Sequence, residues 1–373
     1  MKEQLDKPWY TITDTRSVYS PTLLLYPDRI KENIQCLIQM AGGVKRLRPH
    51  IKTCKSAQVI QLMQEAGIFK FKCATIAEAE LLSSCQAKDI LLAYQPVGPN
   101  IERFITLIKR FPDIQFACLV DHIDLAKHLD QAAKEADIQI SVYVDLNVGM
   151  DRTGVNPGAA SILCQACVNL PHLCLVGLHI YDGHIHDTLL TEREKKYKFY
   201  YQEIKKLHQQ LTMAFTRPLN IVAGGTPTFP FHVQHEEVEC SPGTFIFWDW
   251  GYQMHFKEQP FLPAALVLSR VISIVDEQKI CLDLGYKAIS SENSLTQRVL
   301  FLNAPEATPV SQSEEHLVLK VADSAKYELG DLFYGLPYHI CPTVALYDSA
   351  QVIVDHKVKD QWEISARKRF LQS

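Results

Sequence analysis

Between residue 22 and about residue 250, short apolar runs alternate with longer stretches of helical periodicity. One such stretch is Pro27–Ala41, in which apolar residues recur at steps of three and four, as in a helix with one buried face. The strand-like runs are Thr22–Tyr26, Arg46–Ile51, Phe69–Ala74, Asp89–Ala93, Gln115–Val120, Gln139–Asp145, Cys174–Tyr181 and Leu219–Ala223. These strand–helix alternations predict a parallel sheet that closes into a (β/α)8 barrel, and an open doubly wound sheet is the alternative.

The pattern changes after about residue 256, where β-branched apolar runs follow one another with turns instead of long helices. The runs are Ala265–Val275, Ile280–Leu284, Leu317–Val321, Asp331–Leu336 and Gln351–Val354. We therefore predict an α/β protein with a (β/α)8 TIM-like barrel over residues 21–255 and a C-terminal β domain. Residues 1–20 are expected to join residues 256–373 in that domain, with Trp9–Ile12 as an extra strand. In such a barrel, functional residues lie directly after the strands, at their C-terminal ends.

Composition and charge exclude several classes of protein. The chain has 38 basic and 42 acidic residues, a net charge of −4 and no evident basic patch, so we expect no nucleic-acid partner. Its longest apolar runs fall well short of the ~20 residues of a membrane-spanning helix. The first segment carries Lys2, Glu3, Asp6 and Lys7, which is not typical of a signal peptide. With eleven scattered cysteines, typical of reduced thiols, we expect a cytoplasmic protein that does not bind a membrane.

The first candidate site is the segment 48–55, which reads RPHIKTCK and follows the second predicted strand. Its cationic side chains gather where a strand passes into a helix, so a phosphate or a carboxylate could bind there. A lysine that is partly desolvated and close to other cations has its ammonium form disfavoured, and its free amine can form a Schiff base. The alternative is a basic surface loop.

Two glycine-containing stretches could bind a phosphate. Gly224-Gly225-Thr226-Pro227-Thr228 follows the last predicted barrel strand, and Ser241-Pro242-Gly243-Thr244 offers a second cradle of the same kind. Glycines let the backbone approach an anion, and the threonine hydroxyls add donors near a helix N-terminus. Loops in this part of a barrel are a recurrent phosphate site, although each stretch alone could be only a turn.

Two side chains, Arg152 and Tyr181, could contact a bound ring or its oxygen. Arg152 lies in a glycine-flanked loop after the sixth predicted strand, where a guanidinium could bind a phenolate or a carboxylate. His179 and Tyr181 share one face of the seventh strand, so Tyr181 could lie beside the ring, and His184 follows. The alternative is a packed tyrosine with solvated histidines.

A metal could bind in the β domain, at His339-Ile340-Cys341. On an extended segment, residues two apart project the same way, so the imidazole and the thiolate could bind one ion. Two protein ligands leave coordination positions for water or substrate, and the thiolate favours zinc over ions that prefer only oxygen. Such a pair also occurs by chance.

Together these motifs resemble those of the D-threonine aldolase and D-serine dehydratase family, relatives of the N-terminal domain of alanine racemase. The matching segments are RPHxKTxK (48–55), Gln95, GMxRTG (149–154), YDGH (181–184), GGTP (224–227), SPGT (241–244) and HxCPTVxLYD (339–348), in the family's order along nearly the whole chain. Cys54 stands where the family usually has histidine.

The resemblance implies pyridoxal 5′-phosphate bound as a Schiff base to Lys52, with Gln95 and Tyr181 beside its ring and Arg152 near its phenolic oxygen. It also implies a divalent metal close to the cofactor, zinc first with manganese or magnesium as alternatives, and a homodimer. The residues implied to bind the cofactor around its phosphate are Gly224, Gly225, Thr226, Gly243 and Thr244. Those implied to bind the metal are His339 and Cys341.

The implied function is a lyase on small D-3-hydroxy amino acids, first a D-threonine aldolase that releases glycine and an aldehyde. The alternative is a dehydratase of D-serine, D-threonine or 3-hydroxyaspartate, in which Lys52 takes the Cα proton. In the aldolase, a base near His184 or a metal-bound hydroxide takes the hydroxyl proton. The His-x-Cys pair resembles the dehydratases, whereas the residues after it resemble the aldolases. An amino-acid racemase or a cofactor carrier without turnover also remains open, although carriers generally lack the second domain.

Overall fold

A computed structural model of the 373-residue chain describes residues 7–371. Within this range the chain forms two compact units. The sheet unit comprises residues 7–34, 53–59 and 244–367, and the barrel unit comprises residues 35–52, 60–243 and 368–371. Residues 1–6 and 372–373, which the sequence prediction assigns to the β domain, lie outside the described residues. The domain ranges predicted from the sequence stay a prediction.

The strands are spread over both units. In chain order they are β1 (Thr22–Leu25), β2 (Lys70–Cys73), β3 (Asp89–Leu92), β4 (Gln115–Val120), β5 (Ile140–Leu146), β6 (Leu173–Ile180), β7 (Asn220–Ala223), β8 (Val238–Cys240), β9 (Ala265–Asp276), β10 (Lys279–Leu282), β11 (Val299–Phe301), β12 (Thr308–Gln312), β13 (Leu317–Lys320), β14 (Leu332–Pro337), β15 (Ser349–Val354) and β16 (Lys357–Glu363).

The α-helices are concentrated before residue 256. They are α1 (Pro27–Ala41), α2 (Ala57–Glu65), α3 (Ile76–Ser84), α4 (Pro99–Arg110), α5 (Ile123–Ala136), α6 (Pro157–Val168), α7 (Leu190–Phe215), α8 (Phe229–His232), α9 (Trp250–His255) and α10 (Ile340–Val344). Within residues 7–371, no helix combines the length and the apolar character that a membrane crossing requires.

The barrel unit is built on a parallel sheet in which β2 to β8 pair in chain order. The segment 46–51 connects the two edges of this sheet, because Leu47 bridges to Cys240 and His50 bridges to Lys72. The Arg48 amide donates to the Cys240 carbonyl at 2.9 Å, which adds a hydrogen bond between this segment and β8. The sheet is therefore closed, and the predicted barrel is confirmed; a doubly wound sheet would reverse its strand order partway.

The prediction that Thr22–Tyr26 is a barrel strand is wrong. β1 pairs antiparallel with β9 and parallel with β15, in the nine-stranded mixed sheet of the sheet unit. An uninterrupted apolar run fits any sheet that is buried on both faces, so this pattern does not identify the sheet. The parallel strand that the sequence prediction lacks is β8, whose three residues are too few for a recognisable pattern.

The sheet unit has its own core, which includes Leu24, Leu266 and Tyr334. Trp9–Ile12 packs near this core as a turn, so the extra strand predicted there is wrong. The Thr11 amide donates to the Pro8 carbonyl at 3.1 Å, which closes the turn, and the Ile12 amide donates to the Tyr334 hydroxyl at 3.0 Å.

Candidate active site

Three cationic side chains surround one aromatic ring in the barrel unit. Lys52 Nζ lies 5.5 Å from the centroid of the Tyr181 ring, Arg152 Cζ lies 4.9 Å from it, and Lys72 Nζ lies 5.9 Å from it. Lys52 follows the bridging segment 46–51, Arg152 follows β5 and Tyr181 follows β6. A ring attracts each cation by about 1 kcal/mol, but the cations repel one another. The arrangement therefore favours an anionic ligand.

Lys72 is the member of this group that sequence reasoning missed. It lies on β2 and is only 2% exposed. Burial lowers its pKa to about 7, the nearby Lys52 adds to the lowering, and Asp182 and Asp145 oppose it. Its neighbours Phe71 and Cys73 are also buried, so both faces of this strand are covered. Because both faces of a barrel strand are covered, a lysine in such a strand is itself the signal.

Arg48 is not available to a ligand, although the sequence analysis placed it among the candidate cations. Its Nη1 and Nη2 donate to the two carboxylate oxygens of Asp89 at 2.6 and 2.7 Å, and its Nε donates to Glu239 at 2.7 Å. The side chain is 1% exposed, and the two carboxylates raise its pKa although burial opposes them. Arg48 therefore belongs to a structural charge network inside the barrel unit.

Gln95, predicted to lie beside the ring, donates its amide to Asp121 and Asp145, each at 3.0 Å. Asp145 also pairs with His179 Nδ1 at 2.7 Å. Burial alone would raise the pKa of Asp145, but these hydrogen bonds and His179 hold it below its ordinary value. His179 Nε2 is buried and has no hydrogen-bond partner among residues 7–371. The role of Gln95 at the cofactor stays a prediction.

The two predicted phosphate cradles meet in the barrel unit, where the Gly243 amide donates to Thr226 Oγ1 at 3.3 Å. A Cβ at Gly225 would lie 3.2 Å from Tyr181 Cε2, so this loop runs against the same ring as the cations. Ser241 Oγ is buried and lacks a hydrogen-bond partner within the described part of the chain. The two stretches therefore lie together, and their role at a phosphate stays a prediction.

His184, the predicted general base, lies beside the loop that carries Arg152. A Cβ at Gly149 would lie 3.1 Å from His184 Nε2, and Gly149 has φ +113°, which a side chain would strain. His184 Nδ1 is buried without a hydrogen-bond partner among the described residues. Its catalytic role stays a prediction.

His339 and Cys341 interact directly, but they do not lie on an extended segment as predicted. Cys341 is in α10, which starts at Ile340 because Pro342 suits the first turn of a helix. His339 Nδ1 lies 2.6 Å from Glu292 Oε1. Burial would lower the pKa of His339, but its hydrogen bond to Cys341 and the nearby acidic groups raise it to about 9.

Two hydroxyls also contact the Cys341 thiol inside the sheet unit. Thr53 Oγ1 lies 3.1 Å from Cys341 Sγ, and Thr244 Oγ1 lies 3.5 Å from it. Thr53 directly follows Lys52 in the chain, and Thr244 follows Gly243. Within residues 7–371, no group of three or more His, Cys, Asp or Glu side chains is arranged to hold a metal ion. A metal here would bind through the predicted pair and complete its coordination with other ligands.

The known proteins similar to this chain include aldolases and a dehydratase of hydroxy amino acids, and they match it over nearly its whole length. The D-threonine aldolase of an Arthrobacter species is 28% identical over 94% of this chain and 93% of its own length. The D-threo-3-hydroxyaspartate dehydratase of a Delftia species is 24% identical over 92% and 96%. The crystal structure of D-threonine aldolase from Filomicrobium marinum has a TM-score of 0.86 at 25% identity and covers 94% of this chain and 95% of that one.

Two domain families account for most of the chain. Residues 26–249 match the alanine racemase N-terminal domain, and residues 264–353 match the serine dehydratase domain. The first match alone spans more than half of the chain, and the family predicted from the motifs is confirmed. The chain therefore belongs to the family whose members carry an alanine racemase N-terminal domain, here followed by a serine dehydratase domain.

Proposed function

We propose that this chain is a pyridoxal 5′-phosphate-dependent lyase of D-3-hydroxy amino acids, and specifically a D-threonine aldolase. The observation that carries the proposal is the group of Lys52, Lys72 and Arg152 around Tyr181. The names of the relatives, which include aldolases and a dehydratase of hydroxy amino acids, support the reaction class. Bound pyridoxal phosphate would supply an electron sink for bond cleavage at the substrate's α-carbon.

The residues present fit such a cofactor. Lys52 supplies the amine, and its two cationic neighbours favour the phosphate and phenolate charges of the ligand. Ser241 Oγ and His179 Nε2 are buried polar atoms without a hydrogen-bond partner among the described residues, so each fits a polar ligand atom. Gly224, Gly225, Thr226, Gly243 and Thr244 would hold the phosphate end.

The chemistry of the donor pair also fits a divalent metal. An imidazole and a thiolate, from His339 and Cys341, are the ligands that zinc prefers, with manganese or magnesium as alternatives. The ion would polarise the substrate's β-hydroxyl as a Lewis acid. The contact between Nδ1 of His339 and Glu292 leaves the other ring nitrogen, Nε2, for the metal.

The remaining side chains bind the substrate or move protons. In retro-aldol cleavage, His184 accepts the proton of the β-hydroxyl, the bond between Cα and Cβ breaks as the aldehyde carbonyl forms, and Cα then takes up a proton to give glycine. Arg152 binds an anionic oxygen close to the Tyr181 ring, which orients the ligand within the barrel unit. The Lys52 amine has no further proton to remove in this route.

A D-serine or D-3-hydroxyaspartate dehydratase is the second candidate. The Cys341 thiolate favours it, because thiolate donates more charge than carboxylate and leaves the metal a weaker Lewis acid for forming an alkoxide. The dehydratase named among the relatives supports it as well. In this route the Lys52 amine accepts the Cα proton, and the hydroxyl leaves.

Incubation with D-threonine separates the two reactions, because cleavage gives glycine and acetaldehyde, whereas elimination gives 2-oxobutanoate and ammonia. We expect aldehyde without ammonia from D-threonine, and no reaction with L-threonine. Ammonia without aldehyde would make the chain a dehydratase. Turnover of L-isomers alone would contradict both candidates.

The proposal also includes a homodimer and a small D-amino acid as the physiological substrate. Light scattering of the purified protein measures the first, and the substrate panel extended to D-serine, D-allo-threonine and D-3-hydroxyaspartate measures the second. The cytoplasmic location stays a prediction.

A further inference from the structure

A buried carboxylate, that of Asp182, directly follows Tyr181 and accepts hydrogen bonds from three side chains. Its Oδ2 accepts from the Tyr200 hydroxyl at 2.6 Å and from His232 Nε2 at 2.9 Å, and its Oδ1 accepts from Thr228 Oγ1 at 2.8 Å. Asp182 is 1% exposed, and burial alone would raise its pKa. His232 and the three hydrogen bonds hold the pKa below its ordinary value. The carboxylate is therefore anionic, with its donors in place.

This carboxylate ties the loop after β7 to the long helix α7. Thr228 is the last residue of the loop 224–228, and its hydroxyl donates to Asp182. The prediction that this hydroxyl donates to a bound anion is therefore wrong. Arg193 of α7 also donates Nη1 to the Pro227 carbonyl at 2.9 Å. At the other end of the loop, a Cβ at Gly224 would lie 2.6 Å from His232 Cδ2. The loop is thus held at both ends by groups that contact Asp182 or α7.

We propose that Asp182 is a positioning residue that holds the loop 224–228 in the shape that receives the cofactor's phosphate. The inference rests on the proposed function, which assigns Gly225 and Thr226 to that phosphate. Backbone N–H groups bind a phosphate when they converge on one point, and a loop with two glycines can adopt many other shapes. The carboxylate acts through Thr228 to remove that freedom.

Asp182→Asn tests this role, because the amide keeps the shape of the side chain but replaces one acceptor oxygen by a donor that faces other donors. We expect the Kd for pyridoxal 5′-phosphate to rise roughly tenfold to a hundredfold. The Kd for pyridoxal, the same aldehyde without its phosphate, should stay within about twofold. A distortion of the whole site would weaken both ligands, so the comparison isolates the phosphate loop.

Two further variants complete the experiment. Thr228→Val removes only the hydroxyl that joins the loop to the carboxylate, and we expect a smaller loss with the same selectivity for the phosphorylated ligand. Asp187→Asn is the matched control, since Asp187 is a neighbouring aspartate that pairs with Lys196 at the surface, with Nζ to oxygen distances of 2.7 and 2.8 Å. The control should bind both ligands as the unmodified protein does.

Both affinities are measured by visible absorbance on the full chain freed of cofactor, and far-UV circular dichroism checks that each variant is folded. Unchanged pyridoxal phosphate affinity, or an equal loss for both ligands, would overturn the positioning role. If Asp182→Asn does not fold, Thr228→Val decides by the same criterion. If the unmodified protein binds neither ligand, the proposed function itself fails, which is a different result from a failure of the variants.

Discussion

Replacing Lys72 by methionine should stabilise the cofactor-free barrel unit at neutral pH. The side chain is 2% exposed, and burial lowers its pKa from 10.5 to about 7. At about 1.4 kcal/mol per pKa unit, a depression of this size costs about 5 kcal/mol while the lysine is protonated. At pH 7 the cost is roughly 4 kcal/mol, because half of the folded molecules have already lost that proton. Methionine has a similar volume and no charge to bury, so the variant should recover a large part of this, roughly 2–4 kcal/mol.

The stability gained by Lys72→Met should become smaller as the pH rises. Between the folded pKa of about 7 and the unfolded value of 10.5, the unfolded chain binds more protons at Lys72 than the folded chain does. The stability of the unmodified protein therefore rises through this window. Near pH 9.5 the gain should be roughly 3 kcal/mol smaller than at pH 7.

Urea unfolding at both pH values, followed by two probes, measures this effect. The four tryptophans, Trp9, Trp248, Trp250 and Trp362, all lie in the sheet unit, so their fluorescence follows the unfolding of that unit. Far-UV circular dichroism also reports on the helices of the barrel unit and should shift. Lys127→Met, which removes an exposed lysine of α5, should change stability by no more than about 0.5 kcal/mol. A Lys72→Met protein that is less stable at pH 7, or whose gain does not depend on pH, would show that Lys72 is not a buried amine with a lowered pKa.

Other variants test the proposed assignments. Lys52→Ala should abolish the visible absorbance of lysine-bound pyridoxal phosphate, whereas Lys55→Ala should keep it; the absorption spectrum of each purified variant checks this. A chelator should abolish turnover and leave that absorbance nearly intact, because neither His339 nor Cys341 is among the residues proposed to hold the cofactor; full activity in protein verified as metal-free would contradict it. Glu292→Ala should weaken zinc affinity roughly tenfold to a hundredfold, because a carboxylate on the second ring nitrogen orients a metal-binding histidine. Competition with a chromophoric chelator measures that affinity, and Glu328→Ala, at an exposed glutamate, is the control.

Local structure with a strong period could be predicted from the sequence. Pro27–Ala41 is a helix over the predicted residues, and Gln115–Val120 is the predicted strand. The sheet to which a strand belongs could not be predicted in the same way. Thr22–Leu25 is apolar throughout, and such a run is compatible with either sheet until its partners β9 and β15 are known.

Some residues of the candidate site could be predicted from the sequence, and others could not. Lys52, Arg152 and Tyr181 follow different strand segments of the barrel. Because a barrel brings the C-terminal ends of its strands together, the sequence could predict that these three side chains lie close to one another. Lys72 and Asp182 could not, because their significance comes from neighbours that are distant in sequence. Nothing in the local pattern indicates that three donors from α7, α8 and the preceding loop converge on Asp182.

Chemical trapping identifies the lysine that carries the cofactor, which we propose is Lys52. Borohydride reduction of the protein loaded with pyridoxal phosphate fixes the cofactor to its lysine, and peptide mapping by mass spectrometry identifies that residue. We expect a label on Lys52 alone, although the Lys72 amine lies close to the same Tyr181 ring. A label on Lys72 or Lys55, or no label in protein that holds the cofactor, would contradict it.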